Sequence, residues 1–181
     1  MEKLPMLKIL LLVVVIAVLG VLALAYAQPD EFRVERSARI KAAPGKVYDL
    51  IADLHRWSAW SPWEKKDPAM QRSFTGAEHG VGAQYAWDGN KNVGQGSMLI
   101  TEAAPSSRVA IDLDFVKPFE GHNKVVFTLS PDGDSTVVNW AMAGPMPFIS
   151  KLICLFVNMD RMIGKDFETG LANLKAAAES A

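Results

Sequence analysis

The sequence predicts an α+β domain: a meander of short antiparallel strands closed by a long C-terminal helix and preceded by one apolar helix. Three observations predict it. Ile9 to Ala27 contains no charged side chain. Between Gln71 and Met142, short runs alternate apolar and polar residues and are divided by turn residues, the period of half-buried strands. From Pro147 to Ala178, apolar residues return every three or four positions, the period of a helix face.

The N-terminal run, ILLLVVVIAVLGVLALAYA, reaches roughly 28 Å as a helix at 1.5 Å per residue. That matches a hydrocarbon core about 30 Å thick, so residues 9–27 are expected to cross a membrane. Lys3 and Lys8 precede the run and Asp30 and Glu31 follow it. The positive-inside tendency then makes the chain single-pass, with its domain on the extracytoplasmic side. The alternative is a signal peptide: Ala25-Tyr26-Ala27 is an A-x-A cleavage pattern, and cleavage after Ala27 gives a secreted or periplasmic domain. The expected division is residues 1–31 for the helix and its short linker and 32–181 for the domain. Gln28 to Glu31 extend at most about 14 Å, so a retained anchor holds the domain on the bilayer surface.

Phe32 to Lys41 alternates as a strand, with Arg36 the exception on its inward face. Pro44 suits a first helical turn, and Val47, Leu50, Ile51 and Leu54 recur at helical spacing, which predicts a helix over 44–54. In HRWSAWSPW, Trp57 and Trp60 share one face of a short helix that Pro62 stops. Candidate strands follow at Gln71–Phe74 and Gly82–Trp87, with a tight-turn signal at Asp88-Gly89-Asn90. Gly94 and Gly96 predict a bulge at the start of a strand running to Ala103. Val109, Ile111, Leu113 and Phe115 mark the cleanest strand; Asn123–Leu129 and Thr136–Met142 complete the meander. The last element is expected as one helix of about 30 residues, with Gly164 the place for any bend. Its first half, Phe148–Met159, is apolar around most of its circumference, apart from Lys151 and Asn158, and must be covered by something.

A formal net charge of −1 and the lack of any Lys/Arg cluster argue against nucleic-acid binding. Cys154 is the only cysteine, which excludes an internal disulfide and a thiolate-rich metal site. His55, His79 and His122 lack metal-ligand spacing, and no phosphate-binding or dinucleotide fingerprint occurs, so neither metal nor cofactor is expected.

Trp57-Ser58-Ala59-Trp60-Ser61-Pro62-Trp63 resembles the W-x-x-W-S-P-W signature of polyketide cyclase-like proteins in the SRPBCC (START-like, helix-grip) superfamily. Gly80 to Trp87, Ile163 to Lys175, and Phe32-Arg33-Val34-Glu35-Arg36 through Ala43-Pro44 are similar to it as well, in matching order over about residues 32–178. Members with this pattern often carry an N-terminal membrane helix. The resemblance implies a helix-grip fold: a curved antiparallel sheet of about six to seven strands around the long C-terminal helix, enclosing an apolar cavity. It implies no catalytic residue, because the superfamily spans carriers, receptors, cyclases and chaperone activators.

Alternation and helix spacing nominate the cavity lining: Trp60, Trp63, Tyr85, Trp87, Met98, Ile100, Glu102, Phe115, Phe127, Trp140, Met142, Met159, Ile163 and Phe167. Each is either ligand wall or core; the wealth of Trp and Met favours a wall that adapts to varied apolar shapes. Glu102 falls in step with Met98 and Ile100, and an inward Glu102 would need a partner such as Arg36. The expected function is a membrane-anchored protein that holds a hydrophobic small molecule or lipid. The alternatives are a protein-interaction module at the membrane surface and a cyclase/dehydrase-type enzyme using Glu102, Tyr85 and His122.

Overall fold

The structure is a computed structural model that describes residues 3–180; Met1, Glu2 and Ala181 lie outside the described residues, as do the side chains of residues 3–5. In chain order the elements are α1 (Lys3–Tyr26), β1 (Glu31–Ile40), α2 (Pro44–Ala52), a 3-10 segment (Leu54–Ala59), α3 (Pro62–Lys66), β2 (Gln71–Gly76), β3 (Ala83–Asp88), β4 (Gln95–Ala104), β5 (Arg108–Lys117), β6 (Gly121–Asp132), β7 (Ser135–Pro145), α4 (Phe148–Cys154) and α5 (Met159–Glu179). The strands form one seven-stranded antiparallel sheet in the order β1-β7-β6-β5-β4-β3-β2. It is a meander with β1 added beside β7, and α5 lies along β1 and the concave face, which is the helix-grip architecture.

Register fixes the two ends of this sheet. Glu31 pairs with Pro145, Phe115 with Gly121, Gln95 with Lys117 and with Asp88, and Gln71 with Asp88. The start of β1, the β3–β4 loop, the β5–β6 loop and the β7–α4 connection therefore share one end. The β2–β3, β4–β5 and β6–β7 turns share the other.

The tryptophan-rich segment follows from unpaired helix carbonyls. The last carbonyls of α2 have no intrahelical donor. The Trp60 indole N–H donates to the Leu50 carbonyl and that of Trp57 to Ile51, both at 2.9 Å. The two indoles lie on one face with centroids 4.7 Å apart. Asp53 starts the 3-10 segment by accepting from the His55 amide, and Pro62 then stands in the first turn of α3.

Several expectations need correction. The C-terminal element is two helices, not one: α4 ends at Cys154, the chain turns through 155–157, and Asn158 is extended, its side chain accepting from the Arg161 amide to cap α5. Gly164 sits inside unbroken α5, and it leaves room for the Arg36 guanidinium. Arg36 does not meet Glu102. It donates to Asp160 at 3.0 Å and to Glu168 at 2.9 Å, tying β1 to α5. The Asp88-Gly89-Asn90 signal is not a two-residue turn; Gly89 donates to the Gly94 carbonyl across a longer loop. The Gly94/Gly96 bulge is present as a register shift between Gln95 and Gly96.

Lys151 is buried. Its side chain is 9% exposed, and Nζ donates to Asp30 at 2.6 Å. This pair and the buried Ala25 fix α4 against the last turn of α1, whereas residues 6–20 of α1 are exposed throughout. The Lys151 ammonium, first by hydrogen bonding and then by charge, holds the Asp30 carboxyl below the usual carboxylate range.

Arg36 does the same to Asp160. A carboxyl whose folded pKa is depressed adds stability above its unfolded pKa of about 3.9 and loses it as pH falls through the folded value. Asp160→Asn is expected to lower the melting temperature slightly at pH 7. The deficit should close as the pH is lowered through the acid range, which thermal denaturation followed across pH would register. A deficit of equal size at every pH would contradict the pairing.

Candidate ligand-binding cavity

The sheet does not close against its helices. Between them lies a cavity of about 530 Å³, within the range of small-molecule sites. Its floor is the concave face of β3–β6, with Tyr85, Trp87, Met98, Leu113, Phe115 and Val125; α3 and α5 cover it with Trp63 and Phe167. Its exposed lining residues, which mark the mouth, are Lys91 and Asn92 of the β3–β4 loop, Lys117 at the end of β5, Pro118 just after it, and Met162 of α5, with Val93 and Gly94 buried beneath them. Two glycines shape that rim. Gly94 has φ +66°, a conformation that strains any side chain, and Gly96 lets the Trp87 indole lie against the backbone. The Trp87 N–H donates to the Val93 carbonyl at 3.1 Å and secures the loop.

The deep wall is aromatic. Trp140 stacks on Phe167 with centroids 4.1 Å apart and planes 10° apart, and Trp63 meets both rings edge-on. One polar pair interrupts this wall. The Tyr85 hydroxyl donates to Glu64 at 2.7 Å, and Glu64 also accepts from Arg72 at 2.8 Å. Burial first, and then the Glu64 carboxylate, push the Tyr85 hydroxyl well above the usual phenol range, so it stays protonated. The Trp140 Nε1–H has no exposed surface, toward the cavity or elsewhere, and is the only buried side-chain polar atom without a partner among the described residues. The opposite edge of that indole, Cζ3–Cη2, rests on Gly170.

Seven of the nominated residues line the cavity: Trp63, Tyr85, Trp87, Met98, Phe115, Trp140 and Phe167. Trp60, Ile100 and Phe127 are fully buried behind it as core, and Met142 and Ile163 also belong to the packed interior. Met159 lines a separate shallow hollow with Phe32, Met146 and Phe156. Glu102 is a plain correction. A bulge between Ile100 and Glu102 turns it to the outer face opposite Ala110, where it accepts from Arg108 at 2.9 Å. His122 is exposed beside Asp114, at 2.6 Å. Of the three residues considered for cyclase chemistry, only Tyr85 reaches the cavity.

Trp57, Ser61, Glu64, Met70 and the rim residues 91–94, 117, 118 and 162 were not nominated. Loop positions carry no periodic signal. Leu113 and Val125 were readable, because each shares a strand face with nominated neighbours. Among the described residues, no group of three or more His, Cys, Asp or Glu side chains is placed to hold a metal ion.

A family model described as polyketide cyclase / dehydrase and lipid transport matches residues 31–179. The chain belongs to this family. The match begins at the first residue of β1, so α1 precedes the family's domain. No curated protein matches the chain. Protein CV1439 from Chromobacterium violaceum shares the fold at 16% identity and a TM-score of 0.57, covering 84% of this chain and 99% of that one. The Aha1 dimer from Colwellia psychrerythraea does so at 16% identity and 0.58, over 82% and 96%. The di-domain ARO/CYC StfQ of the steffimycin biosynthetic pathway gives 10% identity and 0.61, over 83% of this chain and 52% of that one. At such identities the likeness concerns the fold alone. Within this polyketide cyclase-like chain, the tryptophan motif therefore has a structural duty: it closes α2, and it places Trp63 over the cavity.

Proposed function

We propose that the protein is a membrane-tethered carrier or sensor that holds a hydrophobic small molecule or lipid in this cavity. The observation that carries the reading is a 530 Å³ hollow whose walls are almost entirely apolar and whose mouth is open. A packed interior excludes such voids unless something fills them in use. In this reading residues 32–181 are the binding domain and residues 9–27 the anchor. One described helix, Met6–Tyr26, has the length and composition to cross a membrane. The lysines before it and the acids after it favour an extracytoplasmic domain; cleavage after Ala27 is the alternative.

Catalysis finds less support. Glu64 is engaged by two donors, Tyr85 is held protonated, and Glu102 and His122 are remote from the cavity. The test uses the tryptophans themselves, because Trp57, Trp63, Trp87 and Trp140 line the hollow. Titration with the fluorescent fatty acid cis-parinaric acid should give saturable energy transfer from tryptophan. Transfer that never saturates, or none, contradicts a binding cavity.

A further inference from the structure

We propose that the end of the domain carrying the cavity mouth lies on the bilayer from which α1 emerges, with Phe119 and Phe156 inserted among the lipids. The cavity then opens onto the membrane and not into bulk water. This inference rests on the reading of α1 as a retained span.

Sheet register carries the first step. The mouth is framed by the β3–β4 loop, the last residue of β5 and Pro118 after it, all at the end where β1 begins. α1 joins the chain at that same end, and only its last turn is covered, by α4. A membrane crossed by α1 must therefore face the mouth at close range, because only residues 27–30 separate α1 from β1.

The distribution of exposed apolar side chains carries the second step. Phe119, at the tip of the β5–β6 loop, is 78% exposed, and Phe156, between α4 and α5, is 79% exposed. Ile149, Ile153 and Val157 extend the Phe156 patch, and Met162 joins it to the rim of the cavity. Toward the opposite end, among the described residues, the large exposed apolar side chains are Val81 and, at 37%, Phe74, while the β6–β7 turn is Asp132-Gly133-Asp134. Exposed apolar side chains gathered at one end mark a contact surface, and the contact of α4 with the apolar α1 selects lipid as the occupant. Charge does not select it: Lys91 and Lys117 at this end are matched by Asp88 and Glu120. Neutral lipid should therefore suffice.

The experiment uses the full chain with Cys154→Ser, reconstituted in phosphatidylcholine vesicles. Single nitroxide labels are placed through Val15→Cys, Phe119→Cys, Phe156→Cys and Asp134→Cys, with Ile153→Cys as a reporter for α4. Relaxation by oxygen, which partitions into lipid, is compared with relaxation by a water-soluble nickel chelate. Labels at 15, 119 and 156 should favour oxygen severalfold over the label at 134, with 119 and 156 shallower than 15. If 15 lies in lipid while the labels at 119, 153 and 156 favour nickel, the anchor stands and the docking is overturned. Labels at 119 and 156 shielded from both reagents indicate a protein contact, which also overturns it. A label at 15 in water, or a mature chain lacking that position, removes the anchor and the docking with it.

Discussion

Trp140→Ala is expected to lower the stability of the domain by about 3–5 kcal/mol, the range for truncating a buried aromatic side chain. For a chain of this size that is a fall in melting temperature on the order of 10 °C. Trp140 is 2% exposed and is the hub of the aromatic wall, in ring contact with Trp60, Trp63, Phe127 and Phe167. Truncation removes all four contacts at once and enlarges a hollow that is already there. Trp140→Phe should do far less harm. It keeps a ring stacked on Phe167, and it removes an indole N–H that has no acceptor in the protein. Thermal denaturation of both variants decides the point. If Phe is as damaging as Ala, the indole N–H has a partner in the folded protein and that account of the wall is wrong.

The second large effect concerns occupancy. Leu113 and Val125 lie on the cavity floor, on adjacent strands β5 and β6. Leu113→Phe/Val125→Phe adds two rings where the native chain has space. Overpacking a filled core destabilises by about 1–3 kcal/mol, whereas growth into a void escapes most of that. The double variant should therefore stay folded within a few degrees of the parent and lose at least tenfold in cis-parinaric acid affinity. Unchanged affinity would move the ligand to some other surface; wholesale unfolding would mean that the hollow is not space at all.

How much of this was legible in the sequence depends on which forces acted locally. Strand alternation at Val109–Phe115 and the helical recurrence from Ile163 to Leu174 are short-range patterns, and both reappear as β5 and α5. The tryptophan motif was legible as a landmark but not as a device. Only the fold brings the Trp57 and Trp60 N–H groups onto the carbonyls of α2. Glu102 went astray because one bulged residue, Thr101, inverts the alternation after Ile100, and period-two reasoning cannot see an inserted residue. The helix break at 155–158 was hidden for the opposite reason. Phe156 and Val157 continue an apolar pattern, while the Asn158 cap that ends it is a single side chain. The Lys151 partner, Asp30, is distant in sequence, so no local pattern marks the pair. Arg36 read as inward was right in direction but wrong in partner, since Asp160 and Glu168 come from a helix whose position no strand pattern records. The cavity wall divides along the same line: strand and helix residues were nominated by period, and the rim residues 91–94 were not.

The account stands on an open apolar hollow that takes up a molecule of matching character. Native mass spectrometry of the full chain, released from lipid nanodiscs, tests this most directly. The expected spectrum carries a discrete adduct of one lipid-sized apolar molecule per chain, absent from Leu113→Phe/Val125→Phe. A bare chain mass for the native protein, unchanged after exposure to fatty acids and phospholipids, would contradict it.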